Sequence, residues 1–323
     1  MMHHPSPTMQ FVSSRLHMLP GFHWGTHVVF AMCLCLMSCG DVVKDRFTIV
    51  ATTSMLGDVV SNIVQGHANV ITLMGPGVDP HTYKATYRDV TRLLHADIVF
   101  YNGLHLEGKM ADMLHKLSRK KCVYAAGDAL LPDQQLVDPN FSIGVDPHIW
   151  FDVCLWKQVV QYISNQLQSA DPQKADHYKA NTKRYLQQLD RLHQTNREAI
   201  QHIPRTQRVL ITAHDAFGYF GRAYDMEVRG LQGISTVSEC GLKDVTDLVR
   251  LIIQKNIKAI FLETSVPEKP LKAVVEGCNR QGFPVRIGGH LYSDALGQAG
   301  TPEGTYCGMM RANVNTIVNA LTS

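Results

Sequence analysis

The sequence predicts an α/β fold of two lobes, each a parallel β-sheet flanked by helices, with one long helix joining them. Three observations predict it. Short β-branched runs alternate with amphipathic stretches between residues 47 and 125. The stretch from Pro172 to Ile203 is polar and holds no Gly and no further Pro. The strand–helix alternation then restarts after Pro204. A chain of 323 residues is long enough for about two domains of about 100–200 residues each.

Phe47–Thr53 is β-branched and apolar, the pattern of a strand buried on both faces of a parallel sheet. Met55–Gln65 follows, with Leu56, Val59, Val60 and Ile63 at helical spacing. Val70–Met74 reads as a second strand, closed by the loop signal Gly75-Pro76-Gly77. Tyr87–His95 reads as a helix, Ile98–Tyr101 as a strand, Leu106–Leu117 as a helix and Cys122–Ala125 as a strand. This rhythm argues for a parallel sheet with helices on both faces.

In Pro172–Ile203 the residues Tyr178, Tyr185, Leu189 and Leu192 fall on a helical period. About 30 residues of helix measure about 45 Å, which suits a solvated rod between lobes. Beyond Pro204 come strands at Arg208–Thr212 and Val228–Leu231, then a helix at Leu242–Lys255. A strand at Ala259–Leu262, a helix at Leu271–Arg280, a strand at Pro284–Ile287 and a helix at Thr305–Leu321 complete the chain. The expected segments are 46–170 for the N-terminal lobe, 171–205 for the connecting helix and 206–323 for the C-terminal lobe. Ligands of open α/β sheets sit beyond the carboxyl ends of the strands, so the expected site is a cleft between the lobes.

Composition narrows the classes. Apolar residues are 45% and charged residues 18%, which excludes a mostly disordered chain. A net charge of +3 gives no footprint for nucleic acid. Residues 28–37 form an apolar run too short for a membrane span, which needs about 20 residues. The run has the length of a signal-peptide core. Leu36-Met37-Ser38-Cys39 after it resembles a lipobox, so residues 1–38 read as a lipoprotein signal, Cys39 as the lipid attachment and 39–45 as a tether. Met37 and the single basic residue Arg15 fit less well, so a plain secretion signal or an uncleaved anchor stays open, as does a start at Met9 or Met18. Cys122, Cys154, Cys240, Cys278 and Cys307 contain no CxxC and read as buried small hydrophobes, although some could pair.

The clearest internal echo is Asp79-Pro80-His81 and Asp146-Pro147-His148. Pro fixes φ just before each His, stiffening the backbone that aims the imidazole. A single copy is a weak signal that reads more readily as a turn leading into a helix with Asp capping it, and the second copy shifts the reading toward function. His214, in Thr212-Ala213-His214-Asp215, stands at a strand end, and Asp215 could cap the next helix or accept from His214. Gly288-Gly289-His290-Leu291-Tyr292-Ser293-Asp294 offers two donor types, His290 and Asp294. Glu263 ends another strand and is a further acceptor for a ligand His, and His105 lies in a loop after a strand. Three imidazoles and one carboxylate suit Zn²⁺ or Mn²⁺ rather than Ca²⁺ or Mg²⁺. Four protein donors close a tetrahedral shell and favour binding over hydrolysis. The alternatives are a secreted zinc hydrolase, with Glu263 as base and Asp294 outside the shell, and a surface adhesin with a structural metal. No GxxxxGK[ST] phosphate loop and no GxSxG is present.

Met-Gly-Pro-Gly-Val-Asp-Pro-His (74–81), Tyr-Asn-Gly-Leu-His-Leu-Glu (101–107), Asp-Pro-His-Ile-Trp-Phe-Asp (146–152), Thr-Ala-His-Asp-Ala-Phe-Gly-Tyr-Phe (212–220) and Tyr-Ser-Asp-Ala (292–295), with the signal and Cys39, resemble one known family. It is the TroA-like group of zinc/manganese solute-binding proteins of bacterial ABC importers. The resemblance runs from about residue 46 to the C-terminus. It implies two α/β lobes on one rigid long helix, with a single metal between them on His81, His148, His214 and Asp294. It also implies a monomeric, exported, lipid-anchored binding protein, not an enzyme, that delivers its metal to a membrane permease driven by a cytoplasmic ATPase. Zinc-dedicated relatives often carry a His-rich loop, and Leu130–Val145 has no His. Manganese-dedicated relatives usually have Glu as third ligand, and here it is His214. The implied metal is therefore zinc or manganese, with iron the weaker expectation.

Overall fold

In the computed structural model, which describes residues 46–137, 144–237 and 240–322, the first half of the chain builds one parallel sheet. Its strands are β1 (Thr48–Ala51), β2 (Asn69–Thr72), β3 (Ile98–Tyr101) and β4 (Cys122–Ala125), in the order β2-β1-β3-β4. Val50 pairs with Ile71 on one side and Val99 on the other. The expected signal peptide, Cys39 and the tether lie outside the described residues.

Helices α1 (Ser54–Val64), α2 (Tyr87–His95) and α3 (Ala111–Ser118) connect these strands. Thr53 caps α1 by accepting from the Leu56 N–H, and Thr86 with Asp89 forms a capping box on α2. Helix α3 starts later than its apolar spacing predicts, because residues 104–110 are spent in turns.

Two helices follow, α4 (Val153–Ala170) and α5 (Ala175–Gln201). The sequence reading assigned no element to α4, although Val153, Trp156, Val160, Ile163 and Leu167 mark a buried helical stripe. Asp152 caps it, accepting from the N–H groups of Cys154 and Leu155. Helix α5 corrects the picture of a solvated rod. Its 27 residues bury Tyr178, Asn181, Thr182, Tyr185, Leu189, Leu192 and Ile200 along one face, against α4, α1 and the C-terminal helix. Two polar residues of that face find partners: Asn181 Nδ2 donates to the Ile63 carbonyl at 2.8 Å, and Thr182 Oγ1 to Ser164 Oγ at 2.7 Å.

The second half contains β5 (Val209–His214), α6 (Gly218–Tyr224), β6 (Glu227–Gln232), α7 (Leu242–Gln254), β7 (Ala259–Glu263), α8 (Lys269–Arg280), β8 (Arg286–Leu291) and α9 (Tyr306–Thr322). β5 pairs with β6 and β7 with β8, both parallel, and β5 packs beside β7. The last strand was expected to stop at Ile287, but it continues to Leu291 through a bulge at Gly288–Gly289. A Cβ on Gly288 would meet the Phe261 ring at 2.7 Å, so glycine is what lets β8 approach β7 there.

Alternation along the strands sorts side chains between cores. Ile49 and Ala51 face a central core while Val50 faces an outer one, and Phe100 and Val99 divide the same way. In the second half Leu210 and Phe261 point to the central core, and Ile211 and Ile260 to an outer one. The central core runs from Ile49 to Leu321 and takes in the buried face of α5. The described residues accordingly cluster as one compact unit. Among the described residues no helix is long and apolar enough to cross a membrane. The cysteines of the described residues are unpaired, and only Cys278 is buried; Cys122 and Cys154 are exposed, unlike the small hydrophobes expected.

Candidate metal centre

The carboxyl ends of the strands aim four side chains at one point. His81 and His148 come from loops of the first half, His214 from the end of β5, and Asp294 from the turn after β8. One donor atom from each lies within 4.8 Å of all the others. His81 Nε2 is 3.3 Å from His148 Nε2, which is 3.4 Å from Asp294 Oδ1. His214 Nε2 is 3.5 Å from Asp294 Oδ2. Around a zinc ion with metal–nitrogen distances of about 2.0–2.1 Å, tetrahedral donor–donor edges are about 3.3–3.4 Å. All four residues are buried. His214 Nε2 and Asp294 Oδ1 make no hydrogen bond, so the buried group has lone pairs that the protein itself leaves unused. Among the described residues this is the one such cluster.

The two Asp-Pro-His segments share a backbone device. In each, Asp Oδ1 accepts the N–H of the His two residues on, at 2.8 Å from His81 and 2.9 Å from His148, so the Asp side chain closes a turn. They then diverge. Asp146 Oδ1 also lies 2.7 Å from His148 Nδ1, whereas Asp79 Oδ2 accepts from Thr236 Oγ1 of the second half at 2.7 Å. Asp146 is itself fixed, since its carbonyl accepts from the Tyr219 hydroxyl at 3.0 Å. A Cβ on Gly218 would come within 2.8 Å of Asp146 Oδ2.

His214 is held by Glu263 from β7. Oε1 accepts the His214 backbone N–H at 2.9 Å and Oε2 is 2.6 Å from Nδ1. Asp215, the other acceptor expected for His214, follows it in the chain and is half-buried. Asp294 Oδ2 accepts from Ser265 Oγ at 3.0 Å. His290 stands apart from the cluster: it is exposed and its Nε2 lies 3.0 Å from Glu268 Oε1. His105 lies outside the four but lines a cavity with His81.

The electrostatics follow from burial and these partners. Burial lowers the His81 imidazole to about 3, with His148 and His214 adding to the effect. Burial also works against a charged His148, but Asp146 and Asp294 outweigh it and lift the imidazole to about 9. His214 stands well above the ordinary histidine range, because Glu263 and Asp294 outweigh burial. Burial opposes the ionised Asp294, yet His214 and His148 hold it well below the usual carboxylate range. With Nδ1 engaged by a carboxylate, His148 and His214 present Nε2 to the centre, the arrangement by which protein carboxylates orient metal-binding imidazoles.

Asp146, Ser265 and Thr236 escaped the sequence reading. The repeated Asp two residues before each His was a visible signal for Asp146. Nothing local marks Ser265 or Thr236, which reach the site from distant segments.

Comparison with known proteins agrees with this architecture. The sequence profile of the family described as "Zinc-uptake complex component A periplasmic" (ZnuA) matches residues 49–320. The manganese-binding lipoprotein MntA of Bacillus subtilis (strain 168) is 49% identical over 284 residues, covering 88% of this chain and 92% of its own. The zinc-binding protein TroA of Treponema pallidum (strain Nichols) is 43% identical over 303 residues, covering 90% of this chain and 98% of its own. The solved structure of periplasmic zinc-binding protein TroA from Treponema pallidum is similar at a TM-score of 0.83 and 45% identity, covering 85% of this chain and 99% of that one.

Proposed function

The chain belongs to the ZnuA family of zinc-uptake components, and from that premise we propose that it captures one divalent transition metal ion for an ABC importer. The ion, zinc or manganese, is held by His81, His148, His214 and Asp294 and delivered to a membrane permease powered by an ATPase. The observation that carries this reading is the convergence of three imidazole Nε2 atoms and one carboxylate, buried, at edges of 3.3–3.5 Å. The chemistry is binding chemistry. Asp146 and Glu263 keep the Nε2 lone pairs turned inward, and Asp294 supplies the negative charge that offsets the ion's desolvation. In this reading residues 46–170 and 206–323 act as two lobes that each contribute two donors, with α5 as their common spine.

A hydrolase asks Glu263 to serve as general base, but both its oxygens are engaged by His214. It also asks Asp294 to stand outside the donor group, and Asp294 stands within it. Lipid anchoring at Cys39 is supported by the Leu36–Cys39 run and by the lipoprotein name of the Bacillus subtilis relative. The protein acts as a monomer at the outer face of the membrane. The test is elemental analysis of natively purified protein, backed by competitive Zn²⁺/Mn²⁺ titration with His148→Ala as control. One equivalent of metal lost in the variant supports the proposal; metal-free protein that takes up neither ion overturns it.

A further inference from the structure

The loop after β3 follows an unusual path. Gly103, Leu104 and His105 lie in succession in the left-handed region, with φ of 76°, 52° and 65°. Glycine enters that region freely, while Leu and His do so at a cost in free energy. A buried carboxylate holds the path in place. Glu107 Oε1 accepts from the Asn102 N–H at 2.7 Å and the Thr52 hydroxyl at 2.6 Å, and Oε2 accepts from the Gly103 N–H at 3.2 Å. Asn102 Nδ2 donates to the Pro147 carbonyl at 2.9 Å, which ties the loop to the turn that aims His148.

What this clamped loop presents is His105, an exposed imidazole. His105 shares a cavity of about 20 Å³ with His81, Leu104, Val145, Pro147 and Ile234. His81 is the most exposed of the four donors, at 5% against 2% or less for the others, so the cavity borders the site at its least buried donor. Its volume suits about one water molecule. A fully hydrated metal ion does not fit a cavity of that size, so an ion occupying it has exchanged water for protein donors. The side chains of Leu104, Val145, Pro147 and Ile234 carry no lone pair to offer, and the Ser235 hydroxyl that also lines the cavity is a neutral oxygen, a weaker partner for zinc than the His105 imidazole.

We propose that His105 is a capture ligand: it takes the incoming ion at the rim and passes it inward to His81, setting the rate of loading and unloading without holding the bound ion. The proposal rests on the metal-binding reading of the four-donor cluster. Because one intermediate serves both directions, losing it slows association and dissociation together and leaves the equilibrium unchanged.

The test uses zinc alone, with stopped-flow association and equilibrium titration of the wild type, His105→Asn and His105→Asp. Asn and Asp are isosteric and both tolerate the left-handed backbone, but only Asp carries a strong metal donor. The expected result is association slowed about tenfold in H105N, an unchanged equilibrium affinity, and recovery of most of the rate in H105D. An unchanged rate in H105N, equal slowing in H105D, or a loss of equilibrium affinity in H105N overturns the capture role. Failure of the wild type to bind zinc at equilibrium is a different outcome and removes the underlying reading instead.

Discussion

Glu263 grips His214 at two points, accepting its backbone N–H on one oxygen at 2.9 Å and facing its Nδ1 with the other at 2.6 Å. The two residues end neighbouring strands, so the grip fixes both where His214 starts and which way its ring faces. It also determines which ring nitrogen carries the proton.

Glu263→Gln tests that control. An amide NH₂ at the Oε2 position donates to Nδ1, which moves the ring proton to Nε2 and blocks the lone pair the metal needs. Metal affinity is expected to fall about 10–100-fold, the usual effect of losing such an orienting partner. Competitive zinc titration measures it, and wild-type affinity in the variant would show that the tautomer is set elsewhere.

His81→Ala and His214→Ala are expected to behave differently, although each removes one donor. Both weaken metal binding strongly. His214→Ala also leaves Glu263 and Asp294 without their buried cationic partner, a defect of about 3–5 kcal/mol when one member of a buried pair is deleted. Melting in excess chelator separates them: His214→Ala drops in Tm, and His81→Ala, whose imidazole is neutral in the folded protein, stays near wild type.

Metal loading is expected to raise the Tm. A ligand of the folded state alone adds RT ln(1 + [L]/Kd), about 2.7 kcal/mol at a hundredfold excess over Kd, and therefore about 5 °C for a chain of this size. Melting curves with zinc and with chelator check this, and coincident curves count against a buried four-donor site.

Between pH 7 and 9 metal affinity and metal-free stability are expected to run in opposite directions. His148 is lifted from 6.5 to about 9 in the folded, metal-free protein. Its raised value adds stability that is complete below 6.5 and is lost as pH rises through about 9. The same proton must leave before metal binds, so affinity climbs over that window. His81, lowered to about 3, acts in the opposite sense, giving stability that is lost as pH falls below 6.5, outside the window. Titrations and chelated melts at pH 7, 8 and 9 decide the point; a flat affinity profile removes His148 from the ligand set.

Gly230→Ala is expected to damage the site from behind. A Cβ at this position of β6 would lie 2.4 Å from the Asp215 nitrogen and 2.6 Å from the His214 carbonyl carbon, both backbone atoms that cannot swing away. The strand end must shift, with overpacking costs of about 1–3 kcal/mol. The variant should lose both Tm and zinc affinity, and loss of neither would mean that the strand end is free to move.

Much of the site was legible because its chemistry lies in short segments. His214 ends a strand, Asp294 lies in the turn after one, and the doubled Asp-Pro-His marks the other two donors, His81 and His148. His290 and Asp294 competed on equal terms in one segment. What separates them is the bulge at Gly288–Gly289, which sets the register and leaves His290 outside beside Glu268. That is a matter of pairing with β7 and not of residue type. The polar composition of α5 concealed its buried face, since Asn181 and Thr182 are inside only because Ile63 and Ser164 offer partners. Ser265 was invisible for the same reason: its meaning is its distance to Asp294.

The central core that α5 shares with α9 makes the two halves of the chain inseparable as folding units. Tyr306 and Met309 from α9, Tyr185 and Leu189 from α5, and Ile49 from β1 belong to one buried cluster. A fragment ending near residue 205 would contain His81 and His148 with their Asx turns, yet it would leave the stripe on α5 bare. The last helix, Tyr306–Thr322, thus completes the interior in which Ile149 and Trp150, next after the second Asp-Pro-His turn, are buried, although helix and turn lie far apart in sequence.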